Sequence, residues 1–100
     1  MNIKQFFLYL ADLDPAFGAE PGKIRPVVVI QTDLLNKRGH PSTIICPLTT
    51  QVIKEGAPLR LFLNKDEADL KYDSDILVDQ IRAIDNRRFV KEIGCLSPRH

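Results

Sequence analysis

Apolar and polar residues fall into short blocks along the chain, and most of the blocks have the period of a strand. Phe6 to Leu13 is rich in aromatic and aliphatic residues and predicts a first strand. Asp14-Pro15 ends it, because proline restricts the residue before it and favours turns. Ala16 to Ile24 contains Gly18, Pro21 and Gly22 and reads as a loop. It is long for a hairpin connection, and long loops in small domains tend to carry function. Pro26-Val27-Val28-Val29-Ile30 is apolar without alternation, the pattern of a strand covered on both faces.

Thr32 is placed to cap a short helical turn through Asn36, and Lys37 to Pro41 reads as a polar turn. Thr43 to Thr49 alternates, with Ile44, Cys46 and Leu48 on one face. Leu59, Leu61 and Leu63 alternate with Arg60 and Phe62 in the same way. Asn64 to Asp73 is a charged connection. Asp75 to Ile84 predicts one more strand, and Asp85 a cap on a short helical segment from Asn86 to Phe89. Lys91 to Leu96 reads as a last short strand. Five or six short strands with little helix predict a mainly β fold with short helices, a barrel or half-barrel. Ser97-Pro98 has the signature of a helix start, yet only Arg99 and His100 follow. Two readings stay open there: a C-terminal helix lost by truncation, or a frayed tail.

Composition narrows the function classes. At 100 residues the expectation is a single domain, 1–100, with a thin core. Hydrophobic residues at 44% and charged residues at 27% describe an ordinary folded chain. The net charge is +1, from 14 basic and 13 acidic side chains. A protein that coats duplex DNA is far more basic, so any nucleic-acid site must be local. Cys46 and Cys95 have no metal-type spacing and read as buried thiols in a reducing cytosol. Met1 to Leu10 is too short a stretch to span a membrane and lacks a cleavage site, so the expectation is a cytoplasmic protein with no membrane partner.

Neither His40 nor His100 has a Cys or His at ligand spacing, and no P-loop or dinucleotide glycine pattern is present. The expectation is no metal and no cofactor. The polar residues that stand out lie at strand ends and beside the glycine-containing loop. Arg25, between that loop and a buried strand, is either a surface or salt-bridging arginine or a phosphate clamp, since its planar donors match phosphate oxygens. Thr49, at a strand end, is either a β-favouring residue or a hydroxyl aimed at a phosphoryl oxygen. Asp79 and Gln80 interrupt an apolar strand, so one of them is expected to face inward. They are either a hydrogen-bonded structural pair or groups that read bases or move protons.

These same residues carry a resemblance. Ala11-Asp12-Leu13-Asp14-Pro15 followed by Gly18 to Gln31 resembles the first signature of the MazF/PemK/Kid toxins, the endoribonucleases of type II toxin–antitoxin systems also called mRNA interferases. Pro47-Leu48-Thr49 is similar to the end of their third strand, and Ser74 to Asp85 to their second long signature. The similarity runs collinearly over roughly residues 9 to 96. It implies an SH3-like, partly open β-barrel (PemK/CcdB-like) that forms a homodimer, with a C-terminal helix that is expected to be truncated here. It implies metal-independent, sequence-specific cleavage of single-stranded RNA. The ribose 2′-hydroxyl attacks the adjacent phosphorus and leaves a 2′,3′-cyclic phosphate and a 5′-hydroxyl.

By the same resemblance Arg25 stabilises the charge on the phosphorane and takes part in proton transfer, while Thr49 hydrogen-bonds the same group. The loop from Ala16 to Lys23 closes over RNA, with Phe17 stacking on a base. Glu20, Asp79 and Gln80 read base edges, and Ser74 contacts RNA near the same groove. One branch of the family uses the position of Asp79 as an acid–base residue together with an arginine two residues earlier. This chain has Leu77 there, so the branch built on Arg25 and Thr49 is the template. Phe6-Phe7 stands where relatives commonly carry Gly-Asp. The implied partner is an acidic, partly disordered antitoxin of the MazE/PemI kind that covers Arg25. The competing readings are a non-catalytic module of the same fold, such as a gyrase poison, and a degenerate binder of RNA or antitoxin.

Overall fold

The computed structural model describes residues 1–19, 21–53, 55 and 59–96. The candidate Glu20 and the helix start expected at Ser97-Pro98 lie outside the described residues. Among these residues are seven strands: β1 (Phe7–Asp12), β2 (Ile24–Val29), β3 (Ser42–Thr49), β4 (Arg60–Leu63), β5 (Ser74–Leu77), β6 (Arg82–Asp85) and β7 (Phe89–Cys95). One helix, α1 (Asp33–Lys37), follows β2, and three short 3₁₀ turns punctuate the second half.

The strands run β4-β5-β3-β2-β1-β7, with β6 also paired to β3, and the pairings among the described residues are antiparallel. This is the mainly β, partly open barrel expected. β3 is its pivot. Its first half, Ser42 to Ile45, pairs with β6, and its end pairs with β5 through Leu48↔Ile76 and Thr49↔Asp75.

Apolar runs without alternation arise because the sheet is covered on both faces. Tyr9, Ala11, Val27, Val29, Ile45 and Ile84 pack in one cluster. Their neighbours along the same strands, Leu8, Val28, Cys46 and Leu48, pack in a second with Leu63 and Ile76. Successive strand residues point to opposite sides, so a fully apolar strand feeds two cores at once. Tyr9 anchors the first cluster. It is fully buried, and its ring meets Phe89 edge-on at 5.3 Å between centroids. Its hydroxyl accepts from the Lys4 amide at 2.9 Å and donates to the Asn2 carbonyl at 3.1 Å.

The caps form as expected. Thr32 accepts from the Leu34 amide at the start of α1, and Asp85 accepts from the Arg87 amide. The Arg87 guanidinium also bonds the Asp85 carboxyl and lowers its pKa to about 2. Asp33 accepts from the Gln5 amide at 2.8 Å, which fastens the N-terminal segment to α1 and lowers that carboxyl's pKa.

Four expectations need correction. Asp75 to Ile84 is two strands rather than one, broken by a 3₁₀ turn at Val78–Gln80. Asp79 is therefore exposed and Gln80 half-buried, and neither faces the core. Ile44, Leu59 and Leu61 have the parity of core residues but lie where the sheet has no cover, at 39%, 56% and 44% exposure. The fourth concerns cysteine: Cys46 is buried, but Cys95 is exposed near the end of β7. Burial pushes the Cys46 thiol's pKa up, leaving little reactive thiolate. Iodoacetamide applied to the native protein is expected to modify Cys95 alone, as read by peptide mass spectrometry, and Cys46 only after denaturation. Modification of both at equal rates would contradict the packing of the second cluster.

Candidate functional site

The loop before β2 makes its last turn against the protein itself. A Cβ at Gly22 would lie 2.6 Å from Asp14 Oδ1 and 2.9 Å from the Ala16 Cβ, so only glycine fits. Asp14 Oδ1 accepts from the Lys23 amide at 2.7 Å, and the Leu13 amide donates to the Lys23 carbonyl at 2.8 Å. The chain is thereby delivered to β2 in a fixed path, with Arg25 opposite Ala11 in the ladder.

Arg25 is half-buried. Its Nε donates to the Gly22 carbonyl at 2.9 Å and its Nη1 to the Leu48 carbonyl at 3.2 Å. Both partners are backbone oxygens of the flanking chain, and among the described residues no carboxylate pairs with the guanidinium. The residue after Leu48 is Thr49, at the end of β3. Thr49 Oγ1 accepts from the Gln51 amide at 3.2 Å, which leaves its own proton to donate. Arg25 and Thr49 line one open groove of about 480 Å³, together with Pro21, Gln51, Arg60 and Leu77.

A second groove of about 290 Å³ adjoins it and is lined by Ala19, Asp79 and Gln80. Arg60 and Leu77 border both. The loop follows the same course, with Pro21 at the first groove and Ala19 at the second. The structure thus gathers Arg25 with Thr49, and Asp79 with Gln80, in one continuous depression. Phe17 stands on the loop at 73% exposure. Ser74 is apart from these: it is 2% exposed, donates from Oγ to the Tyr72 carbonyl at 3.1 Å, and lines a neighbouring cavity of about 420 Å³. That cavity touches the first groove through Pro26 and Thr50.

Arg60 escaped the reading of the sequence as a site residue. Its one signal was a lone cation within the apolar block Leu59 to Leu63. Among the described residues no group of His, Cys, Asp or Glu is gathered as a metal site, and no helix is long and apolar enough to cross a membrane.

The arrangement can hold an anion. A fixed, permanently charged fork beside a hydroxyl donor suits a phosphodiester, and the adjoining acid and amide suit the edges of unpaired bases. Comparison with known proteins agrees with that chemistry. The family model described as PemK-like, MazF-like toxin of type II toxin–antitoxin system matches residues 4–100. The chain is 39% identical over 93 residues to Endoribonuclease EndoA of Bacillus subtilis, covering 93% of this chain and 79% of that protein. Its fold is similar to MazF of Deinococcus radiodurans, with a TM-score of 0.79 at 23% identity over 97% of this chain and 84% of the other. It is also similar to a chain of the MazE-MazF structure from the same organism, with a TM-score of 0.73 at 20% identity over 99% and 85%.

Proposed function

Since the chain belongs to the PemK-like, MazF-like toxin family of type II toxin–antitoxin systems, we propose that it is an endoribonuclease toxin that cuts single-stranded RNA in the groove of Arg25 and Thr49. The observation that carries this reading is the guanidinium held by the Gly22 and Leu48 carbonyls beside a hydroxyl with its proton free. Residues 1–100 act as one toxin domain, and the protein works as a homodimer in the cytoplasm.

In the reaction the ribose 2′-oxygen bonds to the adjacent phosphorus as its proton leaves, and the bond to the 5′-oxygen breaks as that oxygen gains a proton. The products are a 2′,3′-cyclic phosphate and a 5′-hydroxyl. Negative charge accumulates on the non-bridging oxygens of the phosphorane. Arg25, already aimed, stabilises that charge without reorganising, and Thr49 donates to the same group. The requirement for a 2′-hydroxyl makes RNA the substrate and DNA not. Asp79 and Gln80 read base edges in the adjoining groove, carboxylate and amide oxygens accepting from exocyclic amines. Phe17 stacks on a base and Glu20 joins Asp79 and Gln80 in reading base edges, while Ser74, buried with its hydroxyl on the Tyr72 carbonyl, lies out of the strand's reach.

The partner is an antitoxin whose acidic, partly disordered segment folds across the groove and covers Arg25 with carboxylates in place of phosphate. The structure named for MazE-MazF in Deinococcus radiodurans supports such a pairing as a precedent within this fold.

The test is cleavage of a long single-stranded RNA in EDTA with analysis of the new ends. Cuts at a recurrent short motif, bearing 5′-hydroxyl groups, are expected. A folded dimer that leaves the RNA whole would overturn the nuclease and favour a non-catalytic binding toxin.

A further inference from the structure

Among the described residues, Arg60 is the cation of the groove that the cleavage chemistry above leaves without a task. It stands at the head of β4, opposite Leu77 in the ladder. Its Nη1 donates to the Gln51 carbonyl at 2.8 Å and to Asp75 Oδ2 at 3.3 Å. Asp75 is the buried half of that pair: its side chain is 2% exposed, against 26% for Arg60. The same Oδ2 accepts from the Ile53 amide at 2.9 Å. Asp75 also lies opposite Thr49 in the β3–β5 ladder.

One nitrogen of the guanidinium is thus fixed from beneath by a buried carboxylate and a backbone oxygen. No hydrogen bond among the described residues takes up Nε or Nη2. A guanidinium needed only to neutralise Asp75 would serve best with its fork closed on both carboxylate oxygens, a bidentate geometry. Here only one nitrogen reaches one oxygen, and the head stays partly open where the two grooves meet. A strand whose scissile phosphate lies at Arg25 and whose base lies at Asp79 and Gln80 must cross that point with its backbone.

We propose that Arg60 is a second phosphate-binding residue, which holds the backbone phosphate neighbouring the cleaved one where the RNA passes from the Arg25–Thr49 groove to the Asp79–Gln80 groove. This rests on the reading of the groove as an RNA site. Arg60 acts on binding and register, not on the reacting atoms. Its anchoring by Asp75 lowers the freedom lost when the phosphate docks, which is how a pre-oriented arginine improves on a mobile lysine.

Arg60→Ala alone is a poor test, because it strands the Asp75 carboxylate in the interior. The informative comparison is Asp75→Asn against the double variant Arg60→Gln with Asp75→Asn. Both lack the buried ion pair, and they differ in the guanidinium. The probe is a mixed-sequence single-stranded RNA, 2′-O-methylated throughout so that it cannot be cut, with affinity followed from about 50 to 200 mM salt. The Asp75→Asn protein is expected to keep the wild-type salt slope. The double variant is expected to bind several-fold more weakly at low salt, with the slope of log K against log salt reduced by about 0.7, the value for one phosphate on a single strand. Equal slopes and affinities in the two variants would overturn the proposal and leave Arg60 a structural ion pair, whose loss changes the melting temperature only. Binding is read without cutting, so a wild type that binds this RNA but never cleaves its unmodified counterpart would end the nuclease reading and leave the comparison decisive for Arg60. A wild type that binds no single-stranded RNA would overturn both.

Discussion

Arg25→Ala is expected to slow RNA cleavage by about 10²–10³-fold, the usual effect of removing a pre-aimed donor from a site of developing charge. The side chain also has a structural share, since it bridges the Gly22 and Leu48 carbonyls. Two half-exposed hydrogen bonds contribute about 1 kcal/mol each at most. A modest fall in melting temperature therefore accompanies the substitution, too small to account for the lost rate. Arg25→Lys separates charge from geometry: it keeps the cation but loses the fork, and an intermediate rate is expected. Thr49→Val keeps the β-branched shape of the strand end and removes the hydroxyl, for an expected loss of about 10–10²-fold, the worth of one hydrogen bond to a charged acceptor. Single-turnover rates on one mapped RNA site, with melting curves in parallel, make the comparison. Wild-type rates in both Arg25→Ala and Thr49→Val would move the chemistry out of this groove.

The largest effect on stability is expected at Tyr9. Tyr9→Ala removes a fully buried ring that meets Phe89 and leaves the Lys4 amide and Asn2 carbonyl without their partner. Truncating a large buried aromatic costs about 3–5 kcal/mol, a large share of the 5–15 kcal/mol, roughly, by which such domains are stable. At about 4–8 °C per kcal/mol for a domain of this size, the melting temperature falls by tens of degrees. Tyr9→Phe keeps the ring and loses only the hydroxyl, so about 1 kcal/mol is expected. Urea melts of the three proteins test this. Near-equal loss in Tyr9→Phe and Tyr9→Ala would mean that the hydroxyl, and not the packed ring, holds the N-terminal segment.

The strands legible in the sequence were those whose burial is uniform along their length. Val27-Val28-Val29 faces two apolar clusters, and its unbroken apolar run states that directly. The caps at Thr32 and Asp85 were legible because capping is a contact between near neighbours. Three things were hidden. The turn at Val78–Gln80 carries no glycine or proline, so Asp79 and Gln80 read as a polar pair within one strand rather than as a break between two. The exposure of Ile44 and Cys95 depends on where the sheet runs out of cover, a property of tertiary contact and not of the residue. The third is the support of the site. Arg25 leans on main-chain oxygens, which every sequence possesses, and Arg60 meets Asp75 only because β4 and β5 pair. Arg25 and Thr49 stand out in the sequence by their position at strand ends, their catalytic roles rest on the family resemblance, and their geometry comes from backbone placement.

The carbonyls of Gly22 and Leu48 hold Arg25 through bonds that this chain supplies itself. On the proposed function, the group that meets the phosphate is aimed by the toxin's own backbone and not by its substrate. Restraint then becomes a matter of stoichiometry. Free toxin stays near zero while antitoxin is in excess and rises abruptly once the ratio crosses one, so a graded change in synthesis or decay of the inhibitor is converted into an all-or-none arrest of the cell.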